Sequence, residues 1–492
     1  MKKRILIALC LVIVVVMAAL TLTACNPFKQ DAISGGDSKA TVYSNGGFAV
    51  RQGSWLYFVN GYDADAKTNE FGAVLKNSIC RVKLNEDGTV GTNAVKCVVP
   101  KQVYWTNKES GFAVYGNWIY YATPNNDRDR NGAASTTNLD FMRTSLDGTV
   151  TQLIFTANSR SLQYWFMPTR IVVYNNSNLT AIDFTALQET KSISKVSKKV
   201  TTSQIATNVT SVVFKQDAEW SASQGKSMSD YVFYTKTVTG TEAYKNYNEL
   251  YMIKYDGSGK KLLAGDKAFG ETNYKLTLNG GVLEGDSQMT LVYVKQHVEG
   301  TATKTDGLYM NKVGLDGSFD KANEKCLTTS ITSTTVTNYP VSYEKGSLVT
   351  SGDEIYLLDG TKSGEAVFGE DAKVVGKASM SIRYVAKNTD GNYYAYYGAT
   401  SSIPTLFRIN LLPNEGASPN EDVVLEEKFG TSWIEFDFIT VGNDTFVYFF
   451  DTNDYNYVHG YKLSAYNGEK GKTELIAKMT SADKKSKDAA SK

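Results

Sequence analysis

The sequence predicts an all-β chain, a β-propeller of seven to eight four-stranded blades. Three observations carry that expectation. A short turn recurs along the chain: Leu84–Thr89 (LNEDGT), Ser145–Val150 (SLDGTV), Tyr255–Ser258 (YDGS), Leu315–Ser318 (LDGS), Leu358–Thr361 (LDGT) and Tyr466–Glu469 (YNGE). An aromatic run precedes each copy, and an alternating apolar segment leads directly into it. The composition agrees: 31 Tyr, 21 Phe and 40 Gly against only 8 Pro favour strands and turns.

The aromatic runs are Trp55–Phe58, Trp118–Tyr121, Tyr231–Tyr234, Leu291–Val294, Tyr393–Tyr397 and Phe446–Phe450. The segments entering the turns are Ile79–Leu84, Leu139–Leu146, Leu250–Tyr255, Leu308–Val313, Leu406–Leu411 and Tyr461–Tyr466. A shorter apolar piece follows, as in Val150–Phe155 and Lys260–Leu263. Runs rich in Val, Ile, Tyr and Phe and bounded by Gly, Asp and Asn are strand and hairpin signals. Asp-Gly suits the turn because glycine accepts positive φ and aspartate bonds its own backbone.

Two weaker copies, at Ile182–Thr185 and Leu412–Gly416, bring the count to about eight units of roughly 55 residues between Thr41 and Met479. Irregular units around Ile171 and Ile355 leave seven open. A four-stranded unit cannot bury both faces alone, so units stack around an axis. The competing architecture is a pair of β-sandwiches. Its best linker candidate, Thr190–Thr202, carries its own alternating valines.

If the aromatic run is strand two and the turn joins strands three and four, the turns share one face of the disc. The connections between strands two and three, and those between blades, then lie on the other. The connections at Gly61–Asn77, Ala122–Asn138, Thr235–Asn248, Lys295–Asp306 and Asp451–Gly460 are long and rich in Asp, Asn and Tyr. Insertions gathered on one face mark the binding face of a repeat protein.

The amino terminus has a different character. Lys2, Lys3 and Arg4 precede an apolar run from Ile5 to Leu22, followed by Leu22-Thr23-Ala24-Cys25. A basic start, an apolar core and small residues before a cut point read as a secretory signal. The run also approaches the length of a membrane-spanning helix. Cys25 directly after Ala24 makes the segment resemble the lipobox of bacterial lipoproteins. That resemblance implies cleavage after residue 24, a diacylglyceryl (palmitate-type) anchor on the Cys25 thiol, and a location on the outer side of the cell membrane. Two acyl chains suffice for stable attachment. On this reading 1–24 is signal peptide, 25–40 a polar tether, 41–479 the propeller and 480–492 (TSADKKSKDAASK) a solvated Lys-rich tail.

The repeat pattern resembles the propellers of bacterial extracytoplasmic lipoproteins related to Tol-type and low-density-lipoprotein-receptor-type propellers. What that resemblance implies concerns the fold rather than an activity. Cys80 and Cys97 flank the Asp87-Gly88 turn almost symmetrically, which suits a disulfide in an oxidising compartment. Cys97 and Cys326 also sit at matching offsets after their turns, which suits a small buried apolar residue.

A net charge of +1, from 52 basic and 51 acidic residues, excludes a global field for nucleic acid. With two histidines, His297 and His459, both expected in loops, histidine-rich metal sites and a Ser-His-Asp triad are disfavoured. The candidate binding residues are Tyr62, Asp63, Asp65, Tyr244, Tyr247, Asp451, Asp454, Tyr455 and Tyr457. Tyrosine offers a large amphipathic contact at low entropic cost. Asp127, Asp129 and Asn131, followed by Gly132, resemble the opening of a calcium loop, although Asn138 stands where a bidentate Glu is needed. No other cofactor is indicated. The expected role is a membrane-tethered, non-enzymatic binding or scaffold module for a protein or a cell-envelope polysaccharide. The alternative is a glycan-active enzyme using paired carboxylates drawn from Asp63, Asp65, Asp127, Asp129, Asp451 and Asp454.

Overall fold

The computed structural model describes residues 41–476, except 45, 62–76, 91–94, 105–110, 126–137, 168, 188–199, 215–218, 222–227, 239–246, 266–273, 285–286, 300–301, 330–335, 344–345, 352–353, 360–373, 378–381, 389, 399–405, 411–420, 426–435, 442–443, 452–453, 455–456 and 469–473. The signal, the tether with Cys25 and the tail 480–492 therefore lie outside the described residues.

Among the described residues the strands pair into eight antiparallel sheets. Sheet one is Ala49–Gln52, Trp55–Val59, Ile79–Lys83 and Lys96–Val99. Sheet two is Ala113–Tyr115, Trp118–Pro124, Leu139–Ser145 and Thr151–Ala157. Sheet three is Gln163–Met167, Arg170–Asn175, Asn178–Asp183 and Thr201–Ala206. Sheet four is Val209–Phe214, Tyr231–Val238, Tyr247–Lys254 and Lys261–Ala264. Sheet five is Tyr274–Glu284, Gln288–Glu299, Ala302–Gly314 and Lys325–Thr328. Sheet six is Val336–Tyr343, Gly346–Ser351, Glu354–Asp359 and Val374–Lys377. Sheet seven is Ile382–Lys387, Tyr393–Gly398, Leu406–Asn410 and Glu421–Val423. Sheet eight is Phe436–Val441, Asp444–Asp451, Tyr457–Lys462 and Glu474–Leu475.

In every sheet the four blade strands lie side by side in chain order; the aromatic run is strand two in sheets one, two, four, five, seven and eight, and the repeated turn follows strand three in sheets one, two, four, five and eight. Each sheet packs on its neighbours, and sheet eight packs on sheet one: Phe446, Tyr448 and Ile476 share an apolar cluster with Leu56, Phe58 and Val82. The fold is a β-propeller, and the two-sandwich alternative is set aside. The ring closes without exchanging strands. Across the seam the Ala49 amide donates to Asp437 Oδ2 at 2.8 Å, and Arg51 lies 4.9 Å from the Phe446 ring centroid.

The N-terminal strand Thr41–Ser44 goes elsewhere. It pairs antiparallel with the innermost strand of sheet two, Ala113–Tyr115, and on its other edge with Glu219–Ser221, an excursion from sheet four. These two strands extend sheet two inward, to the axis of the ring.

Neighbouring sheets are joined through the repeated turns. Arg81 of sheet one is 1% exposed, lies 4.6 Å from the Trp55 ring and donates to the carbonyl of Leu146, just before Asp147-Gly148 of sheet two. Arg143 of sheet two lies 4.0 Å from Trp118 and donates to Leu187 O of sheet three at 2.9 Å. Lys261 of sheet four donates to Leu315 O, before Asp316-Gly317 of sheet five, at 3.2 Å. Arg408 of sheet seven sits between Tyr394 and Tyr466, the latter opening the Tyr466-Asn467-Gly468 turn of sheet eight, at 3.9 and 4.1 Å. The register repeats: the cross-strand partners of Arg81, Arg143 and Arg408 are Tyr57, Tyr120 and Tyr396, and each arginine covers the aromatic two residues earlier. Burial pushes the Tyr57 hydroxyl up to about 12, against the pull of Arg81 beside it.

The turn glycines fit this docking. Gly88 has φ +85°, and a Cβ there would stand 2.5 Å from the Phe446 ring of sheet eight. Gly257, in the equivalent turn of sheet four, has the same φ but nothing within 4 Å. The turn aspartates take hydrogen bonds from the residue two further on. Thr89, by side chain and backbone, holds Asp87 below its ordinary value, and Ser318 does the same for Asp316.

Several expected loops are strands. Most of Lys295–Asp306 is a hairpin in which His297 faces Lys304, and His297 Nδ1 meets Asp306 Oδ1. In Asp451–Gly460, Asp451 ends strand two and Tyr457–Gly460 begins strand three. Cys80 and Cys97 are direct register partners, both 1% exposed, and both are thiols, as the buried-residue reading expected. Cys326 occupies the matching place in sheet five, opposite Tyr309, and is half-buried.

Two outcomes test the turn docking. Gly88→Ala should lose about 2–4 kcal/mol in urea unfolding, combining a left-handed backbone penalty with overpacking against Phe446. Gly257→Ala should lose only about 1–2 kcal/mol, the backbone part alone. Because Asp87 and Asp316 are depressed in the fold, their contribution is present above the ordinary 3.8 and is lost as pH falls through the lower folded values. Asp316→Asn should accordingly show a shallower loss of stability than the parent between about pH 6 and about pH 3.

Candidate functional site

The strand directions define two faces. Strand one of each sheet runs from the looped face to the turn face, strand two returns, and strand three descends again. Connections between strands two and three, and from one sheet to the next, therefore emerge on the looped face. They range from two residues, Asn176 and Ser177, in sheet three to the whole of 60–78 in sheet one.

Of the predicted site residues, Tyr62, Asp63, Asp65, Tyr244, Tyr455 and the calcium-loop set Asp127, Asp129 and Asn131 lie outside the described residues. Among the described residues, no group of three or more His, Cys, Asp or Glu is placed to hold a metal. Tyr247 opens strand three of sheet four, opposite Val238. Asp451, Asp454 and Tyr457 come together at the looped end of sheet eight.

That cluster differs from the expectation. Tyr457 is only 5% exposed and packs in the apolar cluster of sheets eight and one. The stretch DTNDYNYVHG has the hydropathy of a loop, but pairing with Phe446–Asp451 turns its second half into strand. Asp451 is 6% exposed, and its Oδ2 lies 4.0 Å from Nε2 of His459. Asp454 Oδ2 lies 2.9 Å from the same nitrogen. His459, expected in a loop, is buried in strand three with its ring stacked on Phe449, centroids 6.0 Å apart. The imidazole is committed to holding Asp454 against the strand. Asp451 and Asp454 turn toward His459 rather than toward a shared substrate position.

Near the axis on the same face, sequence reasoning missed Asp437. It interrupts the apolar strand Phe436–Val441 and accepts from the Ala49 amide across the ring seam. A charged residue inside an otherwise apolar alternation was the available signal. A second polar group joins sheets four and five. Asn248 Nδ2 donates to Leu276 O at 2.8 Å, and the Leu278 amide donates to Ser211 Oγ at 3.0 Å. Both contacts hold sheets together.

A cavity of about 310 Å³ opens beside sheet five, lined by Gln288, Asn311, Lys312, Ser318, Asp320 and Lys325 among others. It lies at the turn end of the strands, not on the looped face. Close by, Lys295 and Glu324 form an ion pair at 2.9 Å, each side chain 7% exposed, and Tyr293 donates to the same carboxylate at 2.5 Å. A buried pair of this kind depends on such extra hydrogen bonds.

No family model and no curated protein matches the chain. Among solved structures, it is similar to the β-propeller domain of the Trilobed protease from Pyrococcus furiosus, with 10% identity over 86% of this chain and 97% of that one, and a TM-score of 0.33. It is also similar to the N-terminal domain of Nup159, with 13% identity over 78% and 96% of the two chains and a TM-score of 0.31. A prolyl endopeptidase shows 8% identity and a TM-score of 0.39 over 87% of this chain, which spans 56% of that enzyme's length. At such identities the likeness concerns fold alone.

Tyr457→Ala should cost about 3–5 kcal/mol, the range for removing a buried aromatic, whereas Tyr457→Phe should stay within about 1.5 kcal/mol of the parent in chemical unfolding. Equal, small losses for both would return Tyr457 to the surface.

Proposed function

We propose that the chain is a membrane-anchored extracytoplasmic lipoprotein, lipidated at Cys25, whose propeller is a non-enzymatic binding or scaffold module. Its ligand is a protein or a cell-envelope polysaccharide, taken on the looped face. The observation that carries this reading is the asymmetry of the disc. The repeated turns are occupied in docking neighbouring sheets, while the connections across 60–78 and 125–138 leave from the opposite face, where they carry no such docking contact among the described residues. Those connections contain Tyr62, Asp63, Asp65, Asp127 and Asp129, and Tyr244 and Tyr455 stand in shorter ones on the same face.

The axis is a poor place for a ligand to pass, because Thr41–Ser44 and Glu219–Ser221 are paired into it. A partner is therefore met on the face, where amphipathic tyrosines supply area and aspartates supply acceptors for hydroxyl or amide groups.

Cys25→Ser should move the protein from the membrane to the soluble fraction and abolish incorporation of a clickable palmitate analogue; retention on the membrane would count against the lipid anchor. Sedimentation with isolated cell-wall polysaccharide and with solubilised envelope proteins tests the face. Tyr62→Ala/Tyr244→Ala/Tyr455→Ala should reduce co-sedimentation at least tenfold, the effect of losing about 1.4 kcal/mol or more, with an unchanged unfolding midpoint. Unimpaired capture by the triple variant would remove the looped face from the binding role.

A further inference from the structure

We infer that the propeller sits on its membrane with the repeated-turn face toward the bilayer and the looped face pointing outward. The inference rests on the lipid-anchor reading above and adds an orientation to it.

The direction of the first strand carries the argument. Thr41–Ser44 is antiparallel to the innermost strand of sheet two, with Val42 opposite Tyr115 and Ser44 opposite Ala113. Innermost strands run from the looped face to the turn face, so Ala113 is at the looped end and Tyr115 at the turn end. Thr41–Ser44 therefore climbs from the turn face to the looped face, and the chain enters the disc at Thr41 through the turn face, close to the axis. The entry point is fixed. Val42 is 1% exposed, Ser44 is 3% exposed, and Ser44 Oγ donates to Phe112 O at 3.0 Å. Both edges of the strand are paired.

The length of chain between anchor and entry point disfavours the inverted arrangement. Sixteen residues, 25–40, separate them. Their greatest span is about 55 Å fully extended, and the r.m.s. span of a flexible polar chain of that length is about 22 Å. To place the looped face on the bilayer, the connection would have to cross from the axis to the rim and then descend the side. Four strands at about 4.8 Å make roughly 19 Å of blade, beyond whatever radius the axial strands occupy, and strands of five to seven residues add roughly 17–23 Å of thickness. That path uses most of the fully stretched length before the lipid is reached. With the turn face down, the direct path needs little more than the relaxed span, and the entropic cost of extension disappears. The outward face is then the one that carries the connections 60–78 and 125–138.

Energy transfer from the protein to a headgroup-labelled acceptor lipid tests the orientation. The full chain is processed and recovered in vesicles of phosphatidylethanolamine and phosphatidylglycerol, in a Cys326→Ser background. A donor dye is placed at Ser258→Cys, exposed in the turn of sheet four, or at Ser177→Cys, exposed in the looped-face turn of sheet three. Transfer from position 258 should exceed transfer from position 177. Equal or reversed efficiencies on vesicles that carry the protein would overturn the orientation while leaving the anchor intact. Failure of the chain to float with vesicles, with Cys25→Ser behaving identically, would remove the anchor and the orientation together.

Discussion

The docking of one sheet's turn onto the previous sheet is the contact on which this molecule depends. A four-stranded sheet with apolar side chains on both faces has no stable existence alone, so each must be placed against a neighbour at a fixed angle and height. Burial of aromatic and branched side chains supplies the attraction but little orientation. Orientation comes from polar contacts at one end of the strands: Arg81 to Leu146 O, Arg143 to Leu187 O and Lys261 to Leu315 O. A buried guanidinium is expensive to desolvate, and here that cost is offset twice, by an aromatic face and by a carbonyl. Where the turn comes close, glycine is required for space as well as for φ.

That constraint explains why the two faces differ. A turn that presents a carbonyl to a neighbour's cation, as at Leu146, or a bare Cα to its ring, as at Gly88, is held in place by that fit. On the opposite face the connections between strands two and three lie beyond the last ladder pairs, and their length varies widely from sheet to sheet. Polar groups at that end still join sheets where strands are close, as Asp437 does at the ring seam and Asn248 between sheets four and five. They do so from within strands, which leaves the connections to vary.

Much of this architecture was legible because it is written in local patterns. Aromatic strand, alternating strand and Asp-Gly turn are short-range signals, and the strands fell where those signals put them. One copy, Asp390-Gly391 in sheet seven, was overlooked because it joins strands one and two; it lies on the same face. What the pattern could not show was pairing between distant segments. Nothing in TVYS or EWS says that both strands add to sheet two. Tyr457 and His459 were misplaced for a related reason: a polar stretch becomes strand when the strand opposite, Phe446–Asp451, is long enough to pair with it. Nothing in the local sequence sets Arg81, Arg143 and Arg408 apart, and only the register shows that each covers an aromatic two residues from its partner.

The position of the N-terminal strand bears on how load reaches the ring. Sheet eight meets sheet one through side chains and one backbone-to-carboxylate bond, without a shared strand, so the seam is the place where the ring would open under tension applied at its rim. A tether entering at the axis does not load the seam. It loads the ladder of Thr41–Ser44 with Ala113–Tyr115 on one edge and Glu219–Ser221 on the other, bonds that run across the pull and are shared between sheets two and four. Placing the first strand in the centre therefore fills the axis and, under the anchor proposed above, keeps the pull of the tether away from the seam.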